Sequence, residues 1–270
     1  MTATGHSQPY RPRAAPADLA DTLVCRWDAT LSGPMLMVPD GCLELMWLTG
    51  RGLLVCGPET VGWPALHTRP IEGAGLRFRP GRAAPVLRLP LSQLRDRRVD
   101  LADLLPRVVV ERTEERLHAL PAARRSDALV ELTRLLSAGS PGSAGSRVSA
   151  GSRVSVASPP PTVLGLIERS DGLAPLADRL GITPRQLHRR SLEAFGYGPA
   201  VLRRILRVQR FLALHKARPA LRLAELAAGA GYADQAHLSR DVRRLCGLTP
   251  RALLASRSAD WHGDGAVVRV

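Results

Sequence analysis

Leu176-Ala-Asp-Arg-Leu-Gly181-Ile-Thr183-Pro184-Arg-Gln-Leu-His-Arg189 decides the reading of the C-terminal third. A short amphipathic helix runs into Gly181, which can adopt the left-handed conformation that a tight helix stop needs. Thr183 is placed to cap a second helix, and Pro184 falls at its first position, where a missing N–H costs little. That helix is expected to run to about Ala194 and to close at Gly196. Helix, glycine turn, capped helix is the grammar of a helix-turn-helix unit.

The grammar recurs downstream. In Leu223-Ala-Glu-Leu-Ala-Ala-Gly-Ala-Gly231-Tyr-Ala-Asp234-Gln-Ala-His-Leu-Ser-Arg240, Gly231 supplies the turn and Asp234 the expected cap. The second helix should reach about Leu245 and stop before Gly247. Each unit ends in Gly-x-x-Pro, at Gly196-Tyr-Gly-Pro199 and at Gly247-Leu-Thr-Pro250. Between them, Ala200 to Lys216 is apolar at Val201, Leu202, Ile205, Leu206, Val208, Leu212 and Leu214. A helix of that length is roughly 25 Å long. Such a rod can hold two reading helices about one DNA turn apart, on the order of 34 Å.

With Ile205, Ala213 and Leu214 in the connecting helix, and with Gly231 to Arg240 and Gly247 to Pro250, the segment resembles the DNA-binding domain of the arabinose-operon regulator (AraC/XylS) family. The resemblance covers about Thr162 to Arg257. It implies a bacterial-type transcription regulator whose partner is double-stranded DNA. It places the exposed reading face of the first unit at Arg185, Gln186, His188 and Arg189. In the second unit that face falls on Gln235, Ala236, His237, Ser239 and Arg240. Arg can pair bidentately with guanine and Gln with adenine. A solvated helix face or phosphate contact is the alternative for each of these positions, and for Arg190, Arg203, Arg204, Arg207, Arg243, Arg244 and Arg251 it is the preferred one. The family pattern has an aromatic residue where this chain has Ser191 and Val242, which implies weaker anchoring of both helices.

The charge distribution agrees with a polyanion partner. The chain carries a formal +14. Residues 1–138 hold 18 basic and 15 acidic side chains, whereas 162–258 hold 17 and 7. Neutralising phosphates releases counterions, so a local cationic excess suits nucleic acid, although membrane-surface and RNA-binding proteins share it.

The segment from Ser137 to Pro161 repeats a hexamer, Gly145-Ser-Arg-Val-Ser-Ala150 and Gly151-Ser-Arg-Val-Ser-Val156, before Pro159-Pro-Pro161. Such composition buries nothing and reads as a linker. The expected division is 1–137, a linker over 138–161, the reader at 162–257 and a tail at 258–270.

In front of the linker, Met35 to Pro80 looks β-rich, with strands at Cys42–Leu48, Leu53–Cys56 and Leu76–Phe78 separated by glycine and proline turns. From Leu91 the pattern turns helical, with stripes at Leu101, Leu104, Leu105 and at Leu129, Leu132, Leu135, Leu136. The expected class is α+β, a small barrel or cupin-like front domain with packing helices followed by an all-α reader. Pro39-Asp-Gly-Cys-Leu-Glu-Leu45, Gly75-Leu-Arg-Phe-Arg-Pro-Gly81 and Leu94-Arg-Asp-Arg-Arg98 are similar to the front domain of a subgroup of the same family. That domain is expected to bind a small-molecule effector or to form a homodimer. Trp27, Trp47, Trp63, Phe78 and Arg79 either line a ligand pocket or are ordinary core, and Glu44 is either on a solvent face or in a pocket.

No metal or cofactor is expected. Cys25, Cys42, Cys56 and Cys246 form no C-x-x-C pair, and the histidines show no ligand spacing. A thiol sensor, or an alkyl-acceptor repair protein fused to a DNA-binding module, is the alternative from another class, and it needs an activated cysteine. No apolar run is long enough to span a membrane, and Met1 to Pro16 lacks the apolar core of a signal peptide, so the expected compartment is the cytoplasm.

Overall fold

A computed structural model describes residues 11–139, residue 159, residues 162–169 and residues 172–256. Most of the expected linker and the whole expected tail lie outside the described residues.

The front part is one antiparallel sheet backed by helices. Its strands are β1 (Arg11–Ala14), β2 (Leu23–Met37), β3 (Leu43–Leu48), β4 (Gly52–Cys56), β5 (Trp63–Phe78) and β6 (Arg98–Asp100). The front part is thus the expected β-rich domain with packing helices, and among the described residues its strands form one six-stranded sheet in the order β1-β2-β5-β3-β4-β6. β5 is far longer than the expected Leu76–Phe78, and β2 was not among the expected strands. β2 and β5 pair from Leu23↔Phe78 out to Met37↔Trp63, with an irregularity between Leu31 and Gly33. Pro34, Pro64 and Pro70 lie inside this ribbon. They are tolerated because the outer edge of each strand is unpaired there: β1 meets β2 only at Cys25–Asp28, and β3 meets β5 only at Gly73–Phe78.

Alternation along the strands divides the sheet into two apolar faces. Leu23, Leu43, Leu45, Trp47, Val55, Leu76 and Phe78 join the core with helices α1 (Ala83–Leu87), α2 (Arg107–Ala119) and α3 (Arg125–Ser137). Trp27, Ala29, Leu31, Met46, Leu48 and Leu54 form a separate cluster on the other face. The five candidate pocket residues are therefore not gathered into one pocket. Trp27 lies on one face, Trp47 and Phe78 on the other, and Trp63 is exposed. Of the expected helical stripes, Leu101 begins a short 3₁₀ turn, and Leu135 points to solvent while Leu129, Leu132 and Leu136 are buried.

The second part contains α4 (Thr162–Arg169), α5 (Leu173–Arg179), α6 (Pro184–Phe195), α7 (Pro199–Ala217), α8 (Leu223–Gly229), α9 (Gln235–Cys246) and α10 (Pro250–Ser256). One apolar cluster runs through all seven helices, from Leu164 to Leu253, with Leu202, Ile205, Val208, Phe211 and Leu212 of α7 at its centre. Leu36 and Val38, at the end of β2, pack against that same cluster. None of the described helices is long and apolar enough to cross a membrane.

Candidate nucleic-acid interface

The first unit is set by its caps. Gln186 N–H donates to Thr183 Oγ1 at 3.2 Å, and Thr183 N–H donates back to Gln186 Oε1 at 2.9 Å. This reciprocal box satisfies donors that the helix start would otherwise leave orphaned. Gly196 closes α6 at φ +84°. Leu187, Ser191, Ala194 and Phe195 face inward, while Arg185, Gln186, His188 and Arg189 are exposed. Ser191 sits where an aromatic side chain was expected, and its burial is compensated: Oγ donates to the Tyr197 carbonyl at 2.7 Å.

In the second unit, Asp234 accepts from His237 N–H at 2.6 Å. A carboxylate there also meets the positive end of the α9 dipole. Leu238, Val242, Leu245 and Cys246 form the buried stripe, with Val242 fully enclosed. Gln235, Ala236 and Arg240 are exposed, and His237 and Ser239 are half-buried.

The structure sorts the expected reading residues by what their heads already do. Arg185, Gln235 and Arg240 present exposed heads, and Arg189 stands 3.9 Å from Glu193 with 68% of its side chain exposed. Gln186 has its carbonyl oxygen engaged in the cap, leaving only its amide N–H groups to face outward. Ser239 Oγ donates to the Gln235 carbonyl at 2.8 Å. His237 packs edge-on against Tyr232, ring centroids 5.1 Å apart, with Nε2 3.8 Å from Asp241. His188 lies against Gly198 and lines a cleft of about 650 Å³. The other walls of that cleft include Leu192, Arg204 and Arg244, with Thr60, Val61, Arg95 and Asp96 from the front part.

Sequence reasoning missed the braces. Arg204 was assigned to the DNA backbone or the surface, but Nε pairs with Asp241 at 3.0 Å and so fastens α9 to α7. Arg207 was placed in the same class and lies over the Tyr232 ring at 5.9 Å. Asp241 follows His237 by four positions, a spacing that puts both on one helix face and was legible. Its partner on another helix was not.

The front part carries its own buried polar set. Trp27 Nε1 donates to Glu44 at 2.6 Å, and burial raises the Glu44 carboxyl above its usual range. Arg77 pairs with Asp40 at 2.7 Å. Burial, helped by the Asp40 charge, pushes the Cys42 thiol well up, and burial takes Cys56 to about 12. Both shifts run opposite to thiolate activation.

Residues 176–256 match a family model described as a helix-turn-helix domain, and residues 11–100 match a domain of unknown function (DUF6597). No curated protein matches the chain. Among solved structures, an apo ToxT variant from Vibrio cholerae is 13% identical, with TM-score 0.44, over 86% of this chain and 97% of that one. Vibrio cholerae ToxT bound to (E)-4-(8-methylnaphthalen-1-yl)but-3-enoic acid is 11% identical, with TM-score 0.44, over 86% and 98%. ToxT from the same organism with bound unsaturated fatty acid is 11% identical, with TM-score 0.42, over 94% and 97%.

Proposed function

We propose, from the premise that residues 176–256 are a helix-turn-helix domain of the AraC type, that this chain regulates transcription by reading double-stranded DNA with α6 and α9 in successive major grooves. The observation that carries this reading is the repeated device itself: two capped helices, each buried along one stripe, each offering Arg or Gln heads outward. Arg185, Arg189, Gln235 and Arg240 take the base-reading roles, with Gln186 contributing its amide group. Ser239, His237 and His188 take supporting positions beside them. Arg243 and Arg251 are assigned to phosphates.

The division into a front domain (1–137), linker (138–161), reader (162–257) and tail (258–270) belongs to the same proposal. So does a front domain that senses an effector or pairs subunits. The cleft of about 650 Å³ has the size of a small-molecule site and touches both parts, which makes it the place where an effector would act on the reader.

The test is selection from a random duplex library by the full-length protein at fixed salt. The expected result is a bipartite motif with half-site centres about 10 base pairs apart. Arg185→Ala and Gln235→Ala should each relax one half, at about tenfold loss of discrimination. Binding with a steep salt dependence and no motif would sink the reading.

A further inference from the structure

Two of the three blocks of front-domain sequence singled out above, with Pro58 and Leu91, pack on the reader. Pro39 O accepts from Gln209 Nε2 of α7 at 2.7 Å. Gly41 lies against Leu202 and Tyr197, and Gly81 against Phe195. Pro58 and the Leu91 carbonyl crowd Gly196 at the end of α6. All of these contacts hold the first unit and the connecting helix.

The loop that carries Pro58 also reaches the second unit. Gly62 N–H donates to the Leu245 carbonyl in the last turn of α9, and Gly62 also lies against the Cys246 backbone. The loop between Pro58 and Gly62 thus touches the C-terminal ends of both reading helices. It is stiffened from beneath. Asp96, at φ +56°, accepts from Thr60 N–H at 2.6 Å and Thr60 Oγ1 at 2.7 Å. Its own N–H donates to Pro58 O at 3.1 Å, and Gly57 N–H donates to Arg97 O at 2.9 Å. Arg98 pairs with Glu59 at 2.7 Å and stacks on Trp63 at 3.8 Å.

Four residue steps span at most about 14 Å, and a contact at each end adds roughly 6 Å apiece, so Gly196 and Leu245 stay within about 26 Å while both contacts hold. Each reading helix has 12 residues, so its centre lies about 9 Å from its closing end and the two centres stay within about 44 Å, a ceiling on the scale of one straight DNA turn of about 34 Å. A strut of this length therefore limits how far the two readers can spread.

We propose that the loop Pro58–Gly62 is a gauge: by holding the ends of α6 and α9 together, the front domain sets which half-site spacing the reader accepts. The idea rests on the tandem reading above. It makes Gly62, Thr60 and Asp96 positioning residues for DNA specificity, though none of them needs to touch a base.

The experiment uses the full chain and a duplex library in which the spacing between the two selected half motifs varies one base pair at a time. The wild type is expected to prefer one spacing by about tenfold over its neighbours. Gly62→Val drives bulk into the α9 backbone and should cut that preference to threefold or less, with the same bases chosen in each half. Asp96→Gly removes the carboxylate that holds Thr60 while suiting the positive φ, so it frees the loop without straining the fold; it should act in the same direction. Spacing preference unchanged in Asp96→Gly overturns the gauge alone, even where Gly62→Val fails to fold. A wild-type chain that selects one half motif overturns the tandem reading and the gauge with it.

Discussion

The two helix-turn-helix units share a grammar but lean on different neighbours. The first has a reciprocal Thr183–Gln186 cap, a serine in its buried stripe, and a closing glycine pressed against the front domain. The second has a single Asp234 cap, an all-apolar stripe, and a closing glycine in open space, and it is fastened to α7 by Arg204–Asp241. The same local code thus gives one unit whose surroundings are mostly front domain and one whose surroundings are mostly connecting helix. The two units keep the same turn glycines at positive φ and differ in their caps and in the elements they touch.

The closing glycines offer the largest break. Gly196 and Gly247 both sit at positive φ, +84° and +70°. A Cβ at Gly196 would collide with the Pro58 ring and crowd the Leu91 carbonyl, whereas at Gly247 it would meet nothing within 4 Å. Left-handed strain alone costs an L residue about 1–2 kcal/mol. Overpacking adds about 1–3 kcal/mol. Gly196→Ala should therefore lose about 4 kcal/mol in urea unfolding, and Gly247→Ala about 1 kcal/mol. Equal losses would mean that the front domain does not press on the first unit.

A change of pH tests the loop that joins the two. Burial pushes the Glu59 carboxyl up to about 7, against the lowering pull of Arg98. The folded protein then holds this proton more tightly than the unfolded chain, whose ordinary value is 4.5. Its contribution to stability is complete below that value and is lost as pH rises through about 7. Glu59→Gln should flatten this dependence and make the protein more stable by about 2 kcal/mol at pH 8. A wild-type stability curve that stays flat between pH 5 and 7.5 would contradict the assignment.

The smallest contrast is in the caps. Asp234→Ala should cost about 1 kcal/mol, speeding exchange of the His237 amide roughly fivefold. Thr183→Ala should cost less, because Gln186 Oε1 still accepts from residue 183. Comparable exchange changes in the two helices would show that the reciprocal box adds nothing.

The reader was legible in the sequence because its signals are local. Gly181, Thr183 with Pro184, Gly231, Asp234 and Gly247 each act within one helical turn, and all fall where expected. Two expectations failed for a common reason. Gly73-Ala74-Gly75 reads as a turn but lies inside β5, because pairing across the 63–78 segment is invisible to local propensity. The tryptophans looked like a pocket, because strand register decides their faces and register is nonlocal. Phe211, wholly buried in α7, drew no notice among its aliphatic neighbours. The interface residues were visible as a row of candidates, but only packing separates exposed Arg185 and Arg240 from braced His237 and from Gln186 with its oxygen engaged. The partner of Ser191 was hidden for the same reason: the carbonyl that accepts from its hydroxyl lies beyond the helix end.

The placement of the tryptophans has an optical consequence. Trp27 and Trp47 are 1% and 3% exposed, while Trp63 is 38% exposed and next in chain to Gly62. Among the tryptophans of the described residues, a dissolved quencher should therefore reach Trp63 and spare Trp27 and Trp47. Trp63 lies beside the Arg98 guanidinium, so its emission is expected to respond to a shift of the loop against α9. Without any attached dye, the protein carries a fluorophore at the joint between its two halves.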